Sequence, residues 1–131
     1  MAPYVTAIYA ALLGLLAVTL STIVMANRRR AGVTLGEGDD PRLRRAIRVF
    51  GNFTEYVPTA LILIGLLEAS GGPRLWLHVL GVALLAGRIA HAIGLSRNSG
   101  ASAGRNVGVL LTNLTLIGAS VALLIVALPK L

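Results

Sequence analysis

Cysteine is absent from this chain, and charged and aromatic residues are scarce. Only 13% of its 131 residues are charged and only 5% are aromatic. Without cysteine, no disulfide framework, zinc-thiolate site or cysteine nucleophile can form, so any sulfur chemistry needs a thiol carried by a substrate. With 56% hydrophobic residues and a mean hydropathy of +0.81, too few polar side chains remain to coat a water-soluble domain. The composition therefore predicts an integral membrane protein.

Four apolar runs are long enough to cross a hydrocarbon core of about 30 Å as helices. The predicted spans are about 3–26, 46–69, 75–95 and 107–128, within a single domain over residues 1–131. Three arginines follow the first run and no basic segment precedes it, which indicates a retained span and not a cleaved signal peptide. Short connections favour antiparallel neighbours. The predicted fold is an all-α bundle of four transmembrane helices with up-down topology.

The net charge of +7 comes from 12 basic residues against 5 acidic ones. Most of the arginines lie in the first and third connections, which share one side of the membrane. The positive-inside bias then predicts that both termini lie outside the cytoplasm. No aromatic residues are interleaved with the basic ones, so nucleic acid is not an expected partner, whereas the lipid bilayer is. The two histidines fall toward opposite ends of the spans, and we expect no metal site.

A short polar stripe begins the second span: Arg48, Asn52, Glu55 and Tyr56. At about 100° per residue, all four side chains fall within roughly one third of a helix circumference, so they can meet one ligand together. Ionisable groups so close to hydrocarbon are costly unless they pair or line a wet cavity, and a functional site inside the bundle is the default interpretation. The structural alternative is an Arg48–Glu55 ion-pair network that only stabilises the bundle.

Two segments of the chain resemble parts of one known protein family. They are Arg48-Val-Phe-Gly-Asn-Phe-Thr-Glu-Tyr-Val-Pro58 and Gly87-Arg-Ile-Ala-His-Ala-Ile-Gly94. The first resembles the second helix of the family of membrane-associated proteins in eicosanoid and glutathione metabolism (MAPEG), and the second resembles the end of that family's third helix. The resemblance is to the small bacterial members and implies a bacterial inner membrane protein. It also implies a homotrimer of four-helix subunits that binds glutathione between subunits, near the cytoplasmic helix ends.

The resemblance further implies a function and roles for individual residues. The expected activity is that of a glutathione-dependent transferase or peroxidase, acting on hydrophobic electrophiles or lipid hydroperoxides. A nearby guanidinium favours the thiolate form of glutathione. The expected catalytic residue is Arg105, just before the fourth span where the family's catalytic arginine lies, and the alternative is one of Arg28 to Arg30. The residues expected to bind glutathione are Arg48, Asn52, Glu55, Tyr56, Arg30, His91 and Arg88. The sequence departs from the eicosanoid enzymes at Phe50, His91 and Leu95, where those enzymes have a glutamine and two tyrosines.

Two other classes of function stay open. The same resemblance allows a non-catalytic membrane lipid-binding or scaffold protein. A four-helix proton-coupled exporter ranks last, because such a protein needs a carboxylate in its first span and residues 3–26 contain none.

Some residues are given structural roles. Glu68 is expected to be a solvated helix end next to Arg74. Small residues, among them Gly14 and Gly87, are expected to allow close helix approach.

Overall fold

The computed structural model describes residues 2–97 and 102–130. The chain forms four α-helices, α1 (Tyr4–Ala31), α2 (Pro41–Ala69), α3 (Arg74–Arg97) and α4 (Ala103–Ala127), followed by a short 3-10 turn, Leu128–Lys130. Each α-helix is long and apolar enough to cross a membrane. Over the described ranges no strand is present. The predicted all-α membrane fold is confirmed.

Local signals in the sequence set the helix ends. Helix α1 stops at Gly32, whose φ of 65° is left-handed and costs glycine little. Helix α2 begins after Asp40, whose side chain accepts a hydrogen bond from the backbone N–H of Arg42 at 2.7 Å. That bond, with the N–H of Leu43 and the nearby Arg30, holds the pKa of Asp40 below its usual 3.8. Helix α2 therefore starts five residues before the predicted span at 46, and its added first turn contains Arg42, Arg44 and Arg45.

The core of the bundle is made of apolar side chains from all four helices. Helix α1 packs chiefly on α2, and α3 packs on α4. In hydrocarbon, close packing and interhelical hydrogen bonds drive such association, because lipid tails are as apolar as the side chains. The largest fully buried side chains are Leu13, Leu43, Ile64, Leu67, Leu77, Leu84, Thr112 and Thr115.

Glycines bring α3 and α4 unusually close together. A Cβ atom on Gly108 would lie 2.6 Å from the carbonyl oxygen of Gly87 and 2.6 Å from the Cβ of His91. Further along the same contact, a Cβ on Gly104 would lie 3.1 Å from the carbonyl oxygen of Ala90. The close approach expected at Gly87 is thus present within the chain, between α3 and α4. Nothing lies within 4 Å of a Cβ built on Gly14.

Glu68 is not the solvated helix end that the sequence suggested. Its side chain is only 9% exposed, and its two carboxylate oxygens accept the backbone N–H groups of Val5 at 2.8 Å and Thr6 at 2.7 Å. The Thr6 hydroxyl donates a third hydrogen bond, also at 2.7 Å. The carboxylate caps the N-terminus of α1, where unpaired N–H groups and the helix dipole both favour a negative charge.

Candidate functional site

A cavity of about 300 Å³ opens between the start of α2, the end of α3 and the start of α4. This volume lies at the lower end of the range for small-molecule sites. Its lining is basic and rich in hydrogen-bond donors: Pro41, Arg44, Arg45, Arg48, Asn52, His91, Leu95 and Arg105. None of these lining residues carries a carboxylate. The arrangement makes an electropositive cavity at one end of the bundle, which attracts anions.

Four of the predicted site residues meet in this cavity. Arg48 and Asn52 come from α2, one turn apart on the same face, while His91 comes from α3 and Arg105 from α4. His91 is only 4% exposed, because it packs against Gly108 at the close α3–α4 contact. Arg48 and Arg105 are exposed, so their guanidinium groups are accessible at the cavity. Guanidinium groups match carboxylate and phosphate oxygens in a forked geometry.

Arg88 lies behind the cavity wall. Its side chain is 2% exposed, and it donates hydrogen bonds to the Oδ1 atom of Asn52 at 2.7 Å, to the carbonyl oxygen of Gly108 at 3.2 Å, and to the Oγ1 atom of Thr112. Its guanidinium carbon lies 5.8 Å from the centre of the Tyr56 ring, within cation–π range. The structure thus joins Arg88 to three other helix positions and does not place it in the cavity lining.

The other predicted ligand residues lie away from the cavity lining. Glu55 is exposed on α2, and within the described residues no ion pair joins it to Arg48. Tyr56 is 36% exposed and flanks Arg88. Arg30 pairs with Asp40 at 2.7 Å, where it bridges the end of α1 and the start of α2. In this chain, therefore, the polar stripe on α2 divides between the cavity and an outward-facing surface.

Comparison with known proteins places this chain in a family. A model of the MAPEG family matches residues 6–125. The chain belongs to the MAPEG family. It is similar to the inner membrane protein YecN of Escherichia coli strain K12, with 38% identity over 105 residues that cover 76% of this chain and 80% of that protein. The protein of the same name from E. coli O6:H1 strain CFT073 matches with the same identity and coverage. The family resemblance carried by the Arg48–Pro58 segment is confirmed.

Sequence reasoning missed part of this MAPEG cavity. Arg44 and Arg45 line it, although the sequence suggested only that they were topology signals in a loop. They precede Arg48 by four and three residues, so they share its face once α2 is known to begin at Pro41. The signal that could have found them was the Asp40-Pro41 pair, a typical N-cap followed by proline in the first helical turn.

A second cavity, of about 540 Å³, lies at the opposite end of the MAPEG bundle beside Glu68, Arg74 and His78. The Glu68 carboxylate is used by the α1 cap, and the Nδ1 atom of His78 is hydrogen bonded to the Tyr9 hydroxyl at 3.0 Å. Glu68 and His78 thus already have hydrogen-bond partners within the fold. The basic cavity is the stronger candidate for ligand chemistry.

Proposed function

We propose that this MAPEG protein is a membrane-embedded, glutathione-dependent transferase or peroxidase that binds the thiol in the basic cavity. The main support is the meeting of Arg48, Asn52, His91 and Arg105, which lie on three helices, around one cavity. Glutathione carries two carboxylates, an ammonium group, amides and a thiol. The arginines suit its carboxylates, and Asn52 suits a carboxylate or an amide.

In this proposal Arg105 is the catalytic residue. Its guanidinium group, accessible at the cavity, lowers the pKa of the glutathione thiol by favouring the charged thiolate. In the transferase reaction the thiolate forms a C–S bond with a hydrophobic electrophile from the bilayer, and the leaving group departs with the electron pair. Holding the thiolate next to the membrane gives the reaction its proximity advantage.

In the peroxidase reaction, the thiolate sulfur attacks one oxygen of a lipid hydroperoxide. The O–O bond breaks, and the leaving alkoxide takes a proton to give the alcohol. A second glutathione then reduces the resulting sulfenic acid, with formation of glutathione disulfide and release of water. Both reactions need the same thiolate, so they share the same requirement for Arg105.

The proposal includes a homotrimer with the ligand between subunits. Glu55 and Tyr56 lie outside the cavity lining of a single subunit and are exposed, so a neighbouring subunit is needed to enclose a ligand against them. Glu55 would then bind the ammonium group of glutathione, Tyr56 would add a hydrogen bond, and Arg30 would approach from a neighbour. A charged side chain on the outer face of a membrane helix is costly in lipid, which favours an assembled interface.

We propose the bacterial inner membrane as the location, since the E. coli relatives are inner membrane proteins by name. The basic first and third connections then face the cytoplasm and both termini face away from it. A C-terminal alkaline phosphatase fusion would be active in this orientation, and it would be inactive if the C-terminus were cytoplasmic.

Glutathione titration of the purified protein tests the function. We expect saturable binding by calorimetry, together with growth of the ultraviolet absorbance of the thiolate. Arg105→Ala should retain binding but lose the thiolate signal. Arg48→Ala should weaken binding by about 10- to 100-fold, because a hydrogen bond to a charged group is worth roughly 1.5–3 kcal/mol.

Arg74→Ala is the matched control, because Arg74 is an exposed arginine at the opposite end of the bundle. If both cavity variants behave like the parent protein, the assigned roles are wrong. If the parent binds no glutathione at millimolar concentration but binds anionic lipid through the same arginines, the non-catalytic lipid-binding alternative replaces the enzyme. The donor-rich lining of the cavity is the observation that favours this alternative.

A further inference from the structure

Arg88 is a buried cation whose hydrogen-bond acceptors are all neutral. It donates to an amide oxygen, a backbone carbonyl and a hydroxyl, and its Nε atom has no partner among the described residues. Burying a guanidinium group inside a membrane bundle costs free energy of desolvation, so such a residue often has a functional role. Arg88 lies directly behind the cavity lining, where it contacts the lining residue Asn52.

The surroundings of Arg88 hold it in one position. The close approach of α3 to α4 at Gly87 and Gly108 brings the Gly108 carbonyl within its reach. The hydroxyl of Thr112 donates its own hydrogen to the same carbonyl at 2.8 Å. That hydroxyl can then only accept from Arg88. The guanidinium is therefore fixed between α3 and α4, with one nitrogen directed at α2.

Asn52 accepts a hydrogen bond from that nitrogen, and this bond orients the Asn52 amide group. A guanidinium group has donors only, so the Asn52 atom 2.7 Å from it must be the carbonyl oxygen and cannot be the amide nitrogen. The Asn52 amide N–H groups are left for other partners. Asn52 also lines the cavity, so it can present these donors to a ligand there.

From this geometry we infer that Arg88 is a positioning residue that makes Asn52 a donor, so this part of the cavity binds an anionic oxygen group and rejects an ammonium group. The other polar lining residues agree with this, since four of them are arginines and only His91 has a nitrogen able to accept. The inference rests on the proposed function for its first ligand, the carboxylate of glutathione. A phosphate group, free or on a lipid, shares the same chemistry.

Calorimetric titration of the full-length protein with glutathione and, separately, with inorganic phosphate tests the inference. Asn52→Leu should weaken binding of the anion by about 10- to 100-fold, since it removes a hydrogen bond to a charged group. Asn52→Asp should weaken it at least as much, because its second oxygen would face the anion. Arg88→Leu should weaken binding to a similar extent, and adding it to Asn52→Leu should cause little further loss, because Arg88 acts through Asn52. Arg74→Leu is the control and should bind like the parent.

A second measurement does not depend on whether the Arg88 variant folds. In the unaltered protein labelled with ¹⁵N-asparagine, the side-chain NH₂ signals of Asn52 should shift saturably with the anion. Arg88→Lys keeps a charge and a donor and should restore part of the affinity lost in Arg88→Leu. Unshifted NH₂ signals, or losses that simply add in the double variant, would overturn the inference.

The two ligands separate this inference from the proposed function. Phosphate binding that depends on Asn52 and Arg88, without glutathione binding, would leave the inference standing and remove the proposed function. Glutathione binding that does not change when Asn52 or Arg88 is replaced would leave the proposed function standing and remove the inference. If neither ligand bound the parent protein, the inference would be wrong.

Discussion

Hydrogen bonds from single polar side chains connect helices of this protein. Arg88 joins α3 to Asn52, which is 36 positions away in sequence, and Glu68 joins α2 to Thr6, which is 62 positions away. Each is a hydrogen bond between helices that face apolar surroundings, where an unpaired polar group is costly. Such partners depend on the three-dimensional packing. The sequence therefore suggested a ligand for Arg88 but not its bond to Asn52, and it wrongly predicted a solvated helix end at Glu68.

Replacement of Glu68 should destabilise the fold at the N-terminus of α1. Glu68→Ala leaves the N–H groups of Val5 and Thr6 and the Thr6 hydroxyl without their acceptor, at a cost of about 1–3 kcal/mol for each donor that water cannot reach. Glu68→Gln keeps one carbonyl acceptor and should cost less. The measurement is reversible unfolding in detergent, with Glu37→Ala in the exposed first connection as control. Equal stability of Glu68→Ala and this control would contradict the capping role.

At the scale of elements, the helices were predictable and their ends were less so. Long apolar runs predict four spans, because nothing but a helix satisfies its own backbone in lipid. The arginines before residue 46 suggested a loop, yet Asp40 caps a helix that starts at Pro41 and carries Arg44 and Arg45 to the cavity. The contact between α3 and α4 was only partly predictable, since Gly87 was noticed but its partner Gly108 was not.

Replacement of Gly108 should separate α3 from α4. In Gly108→Ala the new methyl group would lie 2.6 Å from the Gly87 carbonyl oxygen, so the two helices must move apart. The expected cost is about 1–3 kcal/mol of unfolding free energy, with weaker anion binding because the Arg88 contacts on α4 shift.

Gly14→Ala is the matched control. Nothing lies within 4 Å of its Cβ position, so the better helix propensity of alanine should leave stability unchanged or raise it by up to about 1 kcal/mol. Unfolding in detergent, measured in parallel for the two variants, checks the difference. Equal stabilities would show that the close α3–α4 contact does not limit packing.

For the whole molecule, polar chemistry is divided between the two ends of an apolar bundle. One end has the basic cavity, and the other has the Glu68 cap and the Tyr9–His78 hydrogen bond. The family and the membrane fold follow from the sequence, because they depend on composition, helix length and one local segment. The proposed site between subunits cannot be read from one chain, in which Glu55 and Tyr56 are exposed.

An experimental structure of the assembled protein, determined in lipid with saturating glutathione, tests the central claim most directly. We predict a trimer with density for the tripeptide in the basic cavity and enclosed by a neighbouring subunit, with a carboxylate against Arg48 and Asn52 and the sulfur next to Arg105. Empty cavities at saturating thiol, or glutathione bound only at another surface, would contradict the account.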